Sequence, residues 1–110
     1  MPSMTLSRHI GAPIDRVWEV LDDFGGIHTW NPGVATSALT TDGPVGSGSE
    51  RFCELKPAGV IQERITHHQP GERMTVHIYE MTKVPLKEGI ADFRLTEAAG
   101  GTDVSIDYEY

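Results

Sequence analysis

The sequence predicts an α+β fold in which one curved antiparallel sheet of seven strands carries two helices near the N-terminus. A single long stretch, residues 13–24, has apolar residues at helical spacing. From Gly33 onward, short segments of alternating apolar and polar residues are separated by turn residues, without another helix of useful length. Because parallel strands need long crossover connections, strands joined by such short turns are expected to pair antiparallel.

The N-terminal third supplies the first strand and both helices. Residues 4–11 alternate apolar and polar side chains, which predicts a half-buried strand. Pro13 fits the first turn of the following helix, where its missing N–H costs nothing. The apolar stripe of this helix consists of Ile14, Val17, Trp18, Leu21 and Phe24. Gly25-Gly26 ends the helix, and residues 27–30 predict a second, short one.

Six more strands are predicted after Gly33. Two lie at residues 34–41 and 47–56, two form a hairpin over residues 59–80, and two form a hairpin over residues 87–110. In the last hairpin, a loop at Ala99-Gly100 places Phe93 opposite Ile106 and Ala91 opposite Tyr108. The two apolar faces then coincide, which supports this pairing.

The hairpin over residues 59–80 carries the clearest strand pattern, with a turn at Pro70-Gly71. A two-residue loop there places Ile65 opposite Val76 and Glu63 opposite Ile78. One face of the hairpin is then apolar but includes carboxylates: Ile61, Glu63, Ile65, His67, Met74, Val76, Ile78 and Glu80. The other face is polar: Gln62, Arg64, Thr66, His68, Arg73, Thr75, His77 and Tyr79. Carboxylates on a face that only packed a core would serve no purpose, so we interpret the first face as part of a pocket.

The strand at residues 47–56 has two interpretations. With a three-residue loop at residues 57–59, the side chains that face inward are those of Arg51, Cys53 and Leu55. A one-residue slip instead turns inward Glu50, Phe52 and Glu54. We favour the first, which sets Cys53 opposite Glu63 and brings Arg51 diagonally within reach of that carboxylate.

Length and composition limit the classes of function. A chain of 110 residues is expected to form one domain, residues 1–110, and its net charge of −7, with only 9 Lys and Arg, argues against a nucleic-acid partner. The single cysteine, Cys53, fits a reducing cytoplasm. The N-terminus resembles no secretion signal, and no apolar stretch is long enough for membrane insertion. A cytoplasmic protein is therefore expected.

Glu63 is the sharpest chemical feature of the sequence. Burial would raise its pKa whereas Arg51 would lower it, and the sequence leaves open which effect dominates. Glu63 is either a general acid or base, or it has a structural role, paired with Arg51 or hydrogen-bonded to ordered water. Cys53 is expected to be a small core residue, since a neighbouring carboxylate opposes thiolate formation. We expect no metal site and no cofactor, because His67 and His68 point to opposite faces and the other histidines lack ligand spacing.

An ordered set of short motifs carries a family resemblance: APIDRVWEVLDDFGGIHTWNP, GSGSERF, the Glu-Arg of QERI, and GTDVSIDYEY. With this order of elements, the chain resembles the START-like helix-grip superfamily (SRPBCC), and most closely its polyketide cyclase/dehydrase and lipid-transport group. The resemblance implies a ligand cavity between the concave sheet and a long C-terminal helix. This sequence has no residues after Tyr110 for that helix, so we expect either a longer natural chain or a homodimer that covers the open face.

The resemblance also suggests gates for the pocket, because plant hormone receptors of the same superfamily close theirs with two loops. The loops at residues 56–59 and 81–86 hold the corresponding positions. The candidate ligand-binding residues are then Trp30, Arg51, Cys53, Pro57, Glu63, Val76, Ile78, Phe93, Ile106 and Tyr108. We expect binding of a small hydrophobic molecule such as a lipid, polyketide or aromatic compound. The alternatives are a cyclase/dehydratase-like enzyme that uses Glu63 and a protein-interaction module that uses the uncovered sheet face.

Overall fold

Seven antiparallel strands form one curved sheet in the computed structural model, which describes residues 2–83 and 88–110. The elements in chain order are β1 (Ser3–Ile10), α1 (Ile14–Asp22), a 3-10 helix (Phe24–Thr29), β2 (Val34–Leu39), β3 (Glu50–Leu55), β4 (Val60–Gln69), β5 (Arg73–Thr82), β6 (Gly89–Ala98) and β7 (Gly101–Glu109). Across the sheet the order is β1-β7-β6-β5-β4-β3-β2, so β1 and β2 are the edge strands. This confirms the predicted fold class. Part of the predicted gate at 81–86, and Lys87, lie outside the described residues.

The predicted helix over residues 13–24 is two residues too long at its C-terminal end. Asp23 has non-helical backbone angles (φ −76°, ψ 66°) and ends α1. Phe24 instead begins the 3-10 helix, and its ring is buried, with 1% of its surface exposed. The break at Asp23 thus lets an apolar side chain enter the core from the link between the two helices.

The hairpin of β6 and β7 has the predicted pairing. Phe93 lies opposite Ile106 and Ala91 lies opposite Tyr108. Ala91 and Leu95 on β6 and Val104 on β7 are buried, whereas Arg94 is exposed. The strict alternation along both strands therefore specified the face that meets the core.

The hairpin of β4 and β5 agrees with the prediction only in its central pairs, Ile65 with Val76 and Glu63 with Ile78. The predicted pair of His67 with Met74 is wrong, because the register shifts between Ile65 and His67. An extra residue in one strand reverses the faces beyond it. His68 therefore lies opposite Met74 and turns toward the helices.

A second shift lies at the other end of the same pair of strands, between Gln62 and Glu63. It places Ile61 opposite Met81, whereas the two-residue loop predicted Glu80. The turn is also longer than predicted, since the pairing starts at Gln69 with Arg73.

The favoured inward face of β3 agrees with the burial, since Arg51 is 6% and Cys53 is 0% exposed. The register is displaced by two residues from the favoured one: Arg51, not Cys53, lies opposite Glu63, and Cys53 pairs with Ile61. The reason is a longer connection to β4, in which the Leu55 N–H bonds the Gly59 carbonyl and the first cross-strand pair joins Glu54 to Val60. A displacement of two residues keeps the same side chains facing inward.

The core lies between the concave face of the sheet and the helices. Its main cluster consists of Val17, Trp18, Phe24, Ile65, Met74, Val76, Leu95 and Val104. A smaller one joins Ile27, Val34 and Cys53. Neither helix, within the described part of the chain, is long and apolar enough to cross a membrane.

Polar contacts hold α1 at both ends. Before its first turn, the buried hydroxyl of Thr102 on β7 donates a hydrogen bond to the Ala12 carbonyl (2.8 Å). In its last turn, Asp22 Oδ1 and His68 Nε2 form a hydrogen bond of 2.7 Å, and the imidazole lies 5.3 Å from the Trp18 ring. The helix is therefore fixed over the sheet by β7 and β4 together.

Candidate functional site

A groove of about 640 Å³ runs between α1 and the concave face of the sheet. Its walls are mostly apolar: Ile10, Ala12, Pro13, Val17, Val20, Leu21, Trp30, Phe93, Val104 and Ile106. Val20 and Trp30 are 48% and 44% exposed, so the groove is open to solvent along this rim. The polar side chains in its lining belong to Arg8, Arg16 and Glu19. Its volume lies within the range of pockets that bind small molecules.

A small pit continues the groove toward the middle of the sheet. It shares Val20, Leu21, Trp30 and Phe93 with the groove. Its deeper wall adds side chains that include Arg51, Met74 and Val76. With a volume of about 20 Å³, the pit has room for about one water molecule.

Below the pit, Arg51 and Glu63 form a buried ion pair. Arg51 Nε donates to Glu63 Oε1 (2.9 Å) and its second terminal nitrogen to Oε2 (3.2 Å), so the guanidinium grips both carboxylate oxygens. A third N–H of Arg51 donates to the Phe24 carbonyl (3.0 Å), and the guanidinium carbon lies 3.8 Å from the centre of the Phe24 ring. Since Glu63 is only 4% exposed, its charge is balanced by Arg51 rather than by water.

Cys53 lies against this ion pair, with Sγ 3.6 Å from Glu63 Oε1. Burial, followed by the negative charge of Glu63, raises the pKa of the thiol to about 12. Cys53 therefore remains protonated at neutral pH and is a poor nucleophile.

Tyr108 of β7 is affected by the same carboxylate, although β4, which carries Glu63, lies three strands away in the sheet. Burial first, and then the charge of Glu63, raise the pKa of its phenol, while the positive charge of Arg51 opposes the increase. The hydroxyl thus remains neutral at physiological pH and is available as a hydrogen-bond donor.

The structure brings most of the predicted ligand-binding residues together, at different depths. The groove is lined by Trp30, Phe93 and Ile106, and the pit by Arg51 and Val76 as well as by Trp30 and Phe93. Glu63 and Cys53 form the layer beneath. Besides these two, three other predicted residues line neither cavity: Pro57, which is exposed on the β3–β4 loop, and the half-buried Ile78 and Tyr108.

Sequence reasoning missed several residues of the groove, although their spacing carries a signal. Pro13, Arg16 and Val20 share one helix face with Val17 of the apolar stripe, at the spacing i, i+3, i+4, i+7. Arg8 occupies an inward position in the alternation of β1. Because Arg8 and Arg16 are not apolar, a search for apolar residues at strand or helix spacing does not select them.

Within residues 2–83 and 88–110, no three His, Cys, Asp or Glu side chains come together in an arrangement that could hold a metal ion. His9 bonds Asp103, His28 bonds Ser37, and His77 bonds Glu88. These histidines thus form isolated polar contacts.

Comparisons with known proteins agree with this architecture. Ara h 8.0201 superposes with a TM-score of 0.80 at 11% identity, over 97% of this chain and 75% of that one. Protein MLL2253 from Mesorhizobium loti gives 0.77 at 16% identity, over 98% and 76%. DynU16, a protein of the dynemicin biosynthetic locus, gives 0.74 at 20% identity, over 97% and 36%. At these identities the likeness establishes the fold alone.

The family assignment comes from the sequence itself. No curated protein sequence matches the chain. The family model described as "Polyketide cyclase / dehydrase and lipid transport" matches residues 1–110. This match confirms the START-like resemblance found in the motifs. The chain therefore belongs to the polyketide cyclase/dehydrase and lipid-transport family.

Proposed function

We propose that this protein binds a small hydrophobic molecule in the groove between α1 and the concave face. The observation that carries the proposal is the groove itself, since its apolar walls are exposed to solvent at Val20 and Trp30. Covering these side chains with an apolar ligand would remove them from water, which is favourable by about 25 cal/mol per Å² of apolar surface. The lipid transport named in the family description is consistent with such a ligand.

Filling the groove tests this proposal. Val20 lines both the groove and the pit, so Val20→Trp should place an indole where the ligand lies. Binding of the neutral fluorescent probe N-phenyl-1-naphthylamine should weaken by at least about tenfold, equivalent to ~1.4 kcal/mol. The melting temperature should change little, because Val20 is half exposed.

Thr66→Trp is the matched control, because Thr66 is exposed on β4 and lines neither the groove nor the pit. This variant should bind the probe as the wild type does. Equal weakening in both variants would remove the groove as the site. Failure of the wild-type protein to bind the probe would overturn the proposed function.

A cyclase/dehydratase-like reaction at Glu63 is the alternative within the same cavity. It draws support from the pit, which extends the groove as far as Arg51, the partner of Glu63. A substrate would have to replace an Arg51 N–H at one of the two carboxylate oxygens before Glu63 could transfer a proton. The closed ion pair therefore favours binding over catalysis.

The open face also supports an interaction between two copies of the chain. Met4 and Leu6 on the edge strand β1 are 45% and 46% exposed, and they continue the apolar surface of Ile10 in the groove. Sedimentation equilibrium should give a mass of twice 12.1 kDa for the wild type, and the value for one chain for Leu6→Lys. A wild type that sediments as single chains at every concentration would contradict the dimer.

A further inference from the structure

Arg8 and Arg16, which line the groove, lack the carboxylate partners that the other arginines have among the described residues. Four of the six arginines form ion pairs with carboxylates: Arg51, Arg64, Arg73 and Arg94. Arg8 and Arg16 form no ion pair with any residue in the described ranges 2–83 and 88–110, and both line the groove. Unpaired guanidinium groups are thus concentrated at the candidate ligand site.

This placement runs against the charge of the whole protein. The chain has 16 Asp and Glu against 9 Lys and Arg, so its overall field favours cations over anions. With so many carboxylates present, an exposed arginine would be expected to find a partner on the surface. An unpaired guanidinium beside an apolar wall instead offers up to five N–H donors to an incoming anion.

Arg8 and Arg16 also flank the same turn of the chain. β1 leads into α1 through the turn at residues 11–13, and each arginine is three residues from that turn, on opposite sides of it. Among the described residues, the one carboxylate of the lining belongs to Glu19, which lies three residues after Arg16 on the same helix and forms no ion pair with it there. Val20, Trp30 and Phe93 contribute apolar side chains to the same lining.

We infer that the molecule bound in the groove is an amphipathic anion. Arg8 and Arg16 bind its single carboxylate or phosphate group, while its apolar body lies along α1 against the sheet. This inference rests on the proposed function and specifies the chemical class of the ligand. A neutral lipid of the same shape would leave both guanidinium groups without a partner and would bind less tightly.

Calorimetric titration with matched ten-carbon compounds tests the inference. At about pH 7 the carboxyl group of decanoic acid is ionised, whereas decanol of the same chain length is neutral. The wild-type protein should bind decanoate about tenfold more tightly than decanol, and added salt should reduce the difference. Decyl phosphate is measured alongside, and tighter binding of one anion than the other identifies the preferred head group.

Arg8→Met and Arg16→Met keep an unbranched side chain but remove the charge. Each should weaken decanoate binding by about three- to tenfold and leave decanol binding within about twofold. Arg64→Met controls for the change in net charge, because Arg64 lies outside the groove and pairs with Glu50. Its affinity for decanoate should equal that of the wild type.

The outcomes separate the two proposals. If the wild type binds decanoate and decanol equally, or if Arg64→Met weakens decanoate as much as Arg16→Met does, the anionic ligand is overturned while the hydrophobic groove remains. If the wild type binds neither compound, nor the neutral naphthylamine probe, the groove fails as a ligand site and this inference fails with it.

Discussion

Replacing Glu63 with glutamine is expected to lower the free energy of unfolding by about 3–5 kcal/mol. Glu63 is 4% exposed and receives two N–H bonds from Arg51, which is itself 6% exposed. The amide keeps the shape of the side chain but leaves the guanidinium charge buried without a counter-charge. Urea unfolding of the purified variant measures the loss.

A double variant distinguishes the cost of an unpaired buried charge from the other effects of replacing Glu63. Arg51→Met/Glu63→Gln removes both charges, so it should be more stable than Glu63→Gln alone. Arg64→Met is the surface control, since the Arg64–Glu50 pair is exposed and should contribute less than about 1 kcal/mol. A Glu63→Gln protein as stable as the wild type would show that the pair carries little stability. If that stable variant also lacked an activity that the wild type has, the loss would point to a catalytic role of Glu63.

Phe24→Ala is expected to be similarly severe, at about 3–5 kcal/mol. The Phe24 ring is 1% exposed and fills the space between the two helices and the sheet. The loss of the ring leaves a cavity beneath the guanidinium of Arg51. The first residue of the 3-10 helix would then no longer hold that helix, and with it Trp30, against the groove.

Phe24→Leu distinguishes packing from the cation–π contact. Leucine restores much of the buried volume but offers no ring face, so this variant should lose about 1–2 kcal/mol. Differential scanning calorimetry of both variants gives the comparison. Equal destabilisation by alanine and leucine would mean that the interaction with Arg51, and not the filled volume, holds Phe24 in place.

Patterns that agree with each other predicted the fold well. Along β6 and β7 each strand alternates without interruption, and the turn residues fix one register that aligns both apolar faces. The shift between Ile65 and His67 is different, because the side chains around it are all compatible with a continuous strand. The shift turns His68 toward Asp22 and Trp18, which are more than forty residues away in sequence. No local pattern contains that information.

Of the candidate site, the sequence predicted the residues that the sheet contributes but not those that α1 contributes. The alternation of β3 and β4 turned Arg51 and Glu63 inward, and a register displaced by two residues preserved this result. The position of α1 over the sheet is a tertiary property, so its groove-facing residues Arg16 and Val20 did not stand out from the sequence. For the same reason Ile78 and Tyr108, on the correct face of the sheet, line neither the groove nor the pit.

The two polar contacts at the ends of α1 have a consequence for selectivity. With Ala12 bonded to Thr102 and Asp22 bonded to His68, the helix cannot tilt away from the sheet without breaking a hydrogen bond. The distance between helix and strands is thereby set by the protein and not by its occupant. For the proposed ligand, this fixed spacing would add selection by width to selection by charge, because a bulkier molecule would have to break one of these two hydrogen bonds to enter.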